Sequence, residues 1–141
     1  MTSREAPPSI RDAEAPQLEA IIELMFLAAF ADGDFGEDER AHFVRSIESL
    51  TDRRIAGETL ERLVARITTD HEGEGRAARL ASVKARLDDE GSRKVALELA
   101  IQLTNADGII RTSERELILE AAEALDIDRD EAADMVQRLT R

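Results

Sequence analysis

Cysteine, tryptophan and tyrosine are absent from this 141-residue chain, and phenylalanine occurs four times. Without cysteine there is no disulfide, no thiolate nucleophile and no cysteine-ligated zinc or iron–sulfur centre. The same absence suits a reducing compartment, so a cytoplasmic location is expected. Aromatics make up 3% of the chain, so the core has to be built from Leu, Ile, Val, Ala and Phe, a composition that favours helices over sheets. Only three prolines and seven glycines interrupt it. No apolar run approaches the roughly 18 residues that cross a bilayer, and the start, Met1 to Pro8, lacks the apolar core of a signal peptide. Positive charge is also short: 19 Lys and Arg face 31 Asp and Glu, a net charge of −12. A surface of that sign repels phosphate, which argues against nucleic acid as a partner, and favours cations and basic proteins. No nucleophile–base pair, phosphate loop or dinucleotide motif is present, so no enzyme activity is expected.

What the chain does contain is helical periodicity. Residues 1–16 carry all three prolines and no period, and read as a disordered tail ahead of one helical domain over residues 17–141. From there Leu18, Ile21, Ile22, Met25, Phe26 and Ala29 follow the i, i+3, i+4 rule. Six further helices are expected. They run over Glu37–Leu50, about 56–69, through Leu80, Val83 and Leu87, from Val95 to near Ala106, about 112–125, and about 129–139. The glycine-bearing stretch Asp70 to Gly75 reads as a loop. Gly91-Ser92 reads as a break with Ser92 as N-cap. The fifth helix is nearly unbroken in apolar character, which marks it as the central buried one.

The chain also repeats itself. At an offset of 75, Glu23-Leu24 matches Glu98-Leu99, Ala31-Asp32-Gly33 matches Ala106-Asp107-Gly108, and Glu39-Arg40 matches Glu114-Arg115. After a three-residue shortening, Val64 to Thr68 lies over Val136 to Thr140. Helices one to three thus resemble helices five to seven, with helix four as connector. The fold class expected is all-α, a compact bundle of about seven helices built from an internal duplication.

Each repeat carries Asp-Gly-x-(Phe/Ile)-x-x-x-Glu, the second half of an EF-hand loop: carboxylate, Gly for the turn, an apolar plug, then a Glu able to bind with two oxygens. The candidate ligands are Asp32, Asp34 and Glu39 in the first turn and Asp107 and Glu114 in the second. The first half of the loop is missing. Ala28 and Leu103 occupy its first position, and of Phe30 and Asn105 at its third only Asn105 offers an oxygen. Because calcium takes about six to eight oxygens, each turn is a half-site. A purely structural reading stands beside this one. Asp-Gly ends helices unaided, Phe35 or Ile110 would plug the core, and a Glu in a first helical turn complements the dipole. Two features resist it: an Asp at a helix C-terminus opposes the dipole, and Gly36 and Arg111 offer no side-chain cap. Copy one also crowds Asp32, Asp34, Glu37, Asp38 and Glu39 into eight residues, which calls for a cation.

This doubled Ala-Asp-Gly-x-(apolar)-x-x-x-Glu pattern resembles the TerB family of tellurite-resistance proteins, and also the N-terminal TerB-like domain of DnaJ-like membrane co-chaperones. The resemblance covers roughly residues 17–141. It implies a helical bundle in the cytoplasm, divalent-cation binding (calcium first) at Asp32, Glu39, Asp107 and Glu114, and association with an integral-membrane partner of the TerC type at the inner face of the membrane. Ile109 and Arg111 make the second turn less acidic than the first. The alternative is a metal-independent interaction or scaffolding domain. His42 and His71 share no motif, and the basic stretch Arg76, Arg79, Lys84, Arg86, Arg93 and Lys94 reads as a solvated face, or as a dock for an acidic partner or a second copy.

Overall fold

The computed structural model describes residues 15–33, 36–105 and 110–139. They form seven helices, with no strand among the described residues: α1 (Ala15–Ala29), α2 (Glu37–Leu50), α3 (Gly57–Glu74), α4 (Arg76–Arg86), α5 (Glu90–Thr104), α6 (Thr112–Ala124) and α7 (Arg129–Leu139). The all-α expectation holds. The tail expected over residues 1–16 lies outside the described residues up to 14, while its last two positions, Ala15 and Pro16, open α1. Proline is at home in a first turn, where its missing N–H has no intrahelical partner to lose.

The central helix is α1, not the fifth helix of the sequence reading. Every residue from Ala20 to Ala28 is buried, and α1 touches α2, α3, α4, α5 and α6. Its closest neighbour is α5. That helix buries Leu97, Ala100 and Ile101 but leaves Gln102 to solvent, so its polar face keeps it at the side of the bundle. α2 and α6 both end in Schellman closures. Arg53 N–H reaches Glu48 O at 2.7 Å and Ile127 N–H reaches Ala122 O at 2.8 Å, with Asp52 and Asp126 at φ of 57° and 60°.

Two local expectations are corrected. The stretch Asp70 to Glu74, expected as a loop, continues α3 to Glu74, and Gly75 at φ 88° ends it. The reason is tertiary. The Arg79 guanidinium reaches back to Glu74 at 3.1 Å and Asp70 at 3.8 Å, and the His71 ring stands edge-on to Phe26 at 6.2 Å. The break expected at Gly91-Ser92 falls earlier. Asp89 is the N-cap and accepts the Ser92 N–H at 3.2 Å, so Gly91 and Ser92 lie inside the first turn of α5.

The bundle carries one buried ionic cluster. Glu23, in the middle of α1, is 1% exposed. Arg79 donates to it from Nε at 2.5 Å and from Nη2 at 2.8 Å, and Arg86 Nη2 donates to the same carboxylate. Burial pushes the Glu23 carboxyl up, but the two guanidinium groups outweigh it, and its pKa ends below the ordinary glutamate value. Arg79 is raised in turn by the Glu23 carboxylate, against its own desolvation. Much of the basic stretch is paired within the chain. Arg76 pairs with Glu120, Lys84 with Asp126, and Lys94 with Glu131, while Arg93 donates to the carbonyl of Leu87.

Glu23→Ala should leave two guanidinium groups facing an apolar wall and cost about 3–5 kcal/mol in urea unfolding. Because the folded pKa of Glu23 is lowered from 4.5, its contribution is complete above that pH and is lost as pH falls through the folded value. The stability gap between the wild type and Glu23→Gln should therefore narrow steadily as pH is lowered below about 4.5.

Candidate functional site

The two turns meet at one end of the bundle. A cleft of about 380 Å³ opens between the last residues of α1 and α5 and the first turns of α2 and α6. Its floor is apolar, with Phe30, Phe43 and Leu103, and its rim carries Asp38, Glu39, His42 and Glu114. The helix order explains the meeting. α1 and α5 lie side by side and end together, so the helices that follow them start together.

Glu39 and Glu114 each close the start of a helix. Glu39 Oε1 accepts the Gly36 N–H at 3.0 Å, and Glu114 Oε1 accepts the Arg111 N–H at 2.8 Å. The side chain missing at Gly36 and Arg111 is thus not needed for this half of a capping box, since the glutamate reaches back to the backbone by itself. The two are otherwise unlike. Glu114 is buried, with Arg111 Nη1 at 3.9 Å from its Oε2, whereas Glu39 is exposed and has Gly36 where copy two has the arginine.

Of the predicted ligands, Glu39 and Glu114 are brought together in the cleft. Asp32 is exposed at the end of α1 and does not line it. Asp34 and Asp107 lie outside the described residues. Gly33 takes φ 83° and its N–H reaches Phe30 O at 3.0 Å, the left-handed turn expected of Asp-Gly. Asn105, the one oxygen-bearing side chain at the third loop position, donates Nδ2 to Leu139 O at 3.0 Å, and its buried Oδ1 accepts no hydrogen bond from the described residues. Among the described residues no three His, Asp or Glu side chains converge as a metal-holding group.

His42 was not legible as a site residue. It lies one turn beyond Asp38 and Glu39 on α2 and lines the same cleft. The available signal was the i, i+4 spacing from Asp38, which puts both on one helix face. His71 instead lines a second cavity of about 390 Å³ with Phe26 and Arg76, and the Phe30 ring borders both cavities. Phe26, Phe30 and Phe43 form one ring cluster with centroids 5.1–5.9 Å apart.

An all-helical bundle whose two Asp-Gly turns deliver their glutamates to a common acidic cleft defines the class. The chain matches the family described as tellurite resistance protein TerB over residues 19–137, and it belongs to that family. Comparison with curated proteins and with solved structures returns no match.

The caps give a direct comparison of the two turns. Glu114→Ala should orphan a part-buried N–H and cost about 1–2 kcal/mol, whereas Glu39→Ala, in water, should cost about 0.5 kcal/mol. Urea unfolding of the two variants side by side reads the difference.

Proposed function

We propose that this TerB-family chain works as a tellurite- or stress-resistance module whose acidic cleft binds a divalent cation weakly, calcium first, or the basic segment of a membrane-protein partner of the TerC type, from the cytoplasmic side. The observation that carries this reading is the convergence of Glu39 and Glu114, one from each repeat, on a cleft that also holds Asp38 and His42. Each glutamate uses Oε1 in its cap, and because Arg111 Nη1 lies 3.9 Å from Oε2 of Glu114, it is Glu39 that offers its second oxygen to a cation as a single ligand. The orphaned Oδ1 of Asn105 supports a ligand at the second turn as well, because an unpaired buried acceptor costs about 1–3 kcal/mol unless something approaches it.

A second reading is favoured by the caps themselves. Both glutamates already have a structural task, so the chain also fits an interaction domain that needs no metal and in which the turns serve only the fold. Neither reading involves catalysis.

Melting temperature separates them. Saturating calcium should raise it through binding to the folded state alone, and Glu39→Gln with Asp38→Asn, which keeps the cap geometry and removes charge from the cleft, should erase the rise while helix content is kept. No rise with calcium, magnesium, manganese or zinc removes the cation reading in favour of the second.

A further inference from the structure

A second surface, which adjoins the cleft at Asp38, is built to receive a helix. α2 and α3 form a hairpin that packs less closely than the hairpin of α6 and α7, and an open groove of about 820 Å³ runs between them. Its floor is made of small side chains: Ala41 and Val44 from α2, and Val64 and Ala65 from α3. The repeat supplies an internal control. Under the sequence alignment, Ala41 corresponds to Glu116, Ala65 to Gln137 and Val44 to Leu119. The positions that leave space in the first hairpin thus carry longer side chains in the second.

Charge selects the occupant. Glu37, Asp38 and Glu61 line the groove, all exposed and with no partner among the described residues. Of its three arginines, Arg62 is tied to Glu58 at 3.4 Å, Arg40 donates to Thr68 at 3.5 Å and Arg45 is exposed, against five lining carboxylates, so the groove keeps an excess of negative charge. The corresponding positions to Glu37 and Asp38 in the second hairpin are the neutral Thr112 and Ser113, so these two carboxylates, like the space, belong to the first hairpin. A second copy of this chain does not supply the complement. Its basic helix α4 is spent internally, on Glu23, Glu120 and Asp126.

We infer that the α2–α3 groove docks an amphipathic helix of another protein, apolar and small on the face turned to Ala41 and Ala65 and bearing Lys or Arg along its flanks. Small residues on both sides let two helices approach closely, and flanking charges set orientation and encounter rate.

The probe is a labelled synthetic peptide of about 16 residues, Ala and Leu on one helical face and Lys on its flanks. Titrated against the full chain, it should bind and shift the amide resonances of Ala41, Val44 and Ala65. Ala41→Glu with Ala65→Gln, which installs the side chains of the second hairpin, should weaken it at least about tenfold. Glu37→Lys with Glu61→Lys, both exposed, should do the same without filling the groove. Glu116→Lys on α6 should leave binding within about twofold. Equal binding by a peptide with Glu in place of Lys, equal binding by a sequence-scrambled peptide, or undiminished binding by both groove variants overturns the proposal. So does resonance shift confined to Phe30 and Leu103 in the acidic cleft. The groove does not rest on cation binding: loss of the calcium effect leaves it standing, and loss of peptide binding leaves the calcium effect untouched.

Discussion

One carboxylate organises this bundle. Glu23 sits in the middle of the most buried helix, where an isolated charge costs several kcal/mol even after relaxation. It is tolerated because Arg79 and Arg86 bring charge and hydrogen bonds to both of its oxygens. That requirement fixes the connector helix α4 across α1, since both arginines lie on it. It also sets the length of α3, because the remaining donors of Arg79 reach the carboxylates of Glu74 and Asp70. Replacing the whole cluster with apolar residues is a different matter from breaking it. Such replacements are often neutral, so the cluster is best understood as choosing where α4 lies.

The functional end follows from this frame. With α1 at the centre and α5 beside it, the first turns of α2 and α6 start at the same place, and their glutamates line one cleft. The two helix starts share a glutamate cap and differ in electrostatics. Arg111 pairs with Glu114, whereas a glycine, Gly36, stands at the aligned position before Glu39. Spending the basic residues internally sharpens the contrast. The cations of the connector region hold the fold together, so the excess negative charge is left on the outside, on the first turn of α2 and along the α2–α3 hairpin.

The repeat is informative because its halves diverge. Glu23 and Glu98 match in sequence, yet one is buried between two arginines and the other is a partly exposed partner of Arg138 at 3.5 Å. The same holds for the hairpins, where Ala41 and Ala65 leave a groove and Glu116 and Gln137 occupy the aligned positions. The repeated sequence goes with similar helix lengths in the first two pairs, 15 and 15 residues for α1 and α5 and 14 and 13 for α2 and α6, and not with similar surfaces, which depend on what lies opposite.

Local chemistry in the sequence determined the all-helical class, the bounds of α2 and α7 and the left-handed glycine at Gly33, because periodicity, capping and turn preference act within a few residues. The family was legible too, from a motif that occurs twice. Tertiary structure decided the rest. Asp70 to Glu74 became helix because Arg79, beyond the helix break at Gly75, reaches back to it. Asp89 displaced Ser92 as cap. α1 took the central place from α5, and a basic stretch that looked solvated turned inward. In each case the deciding partner lies across the bundle or in the next helix, and distance along the chain carries no record of it. His42 joined the cleft for the same reason, since only the packing of α1 against α5 brings Glu114 to its side.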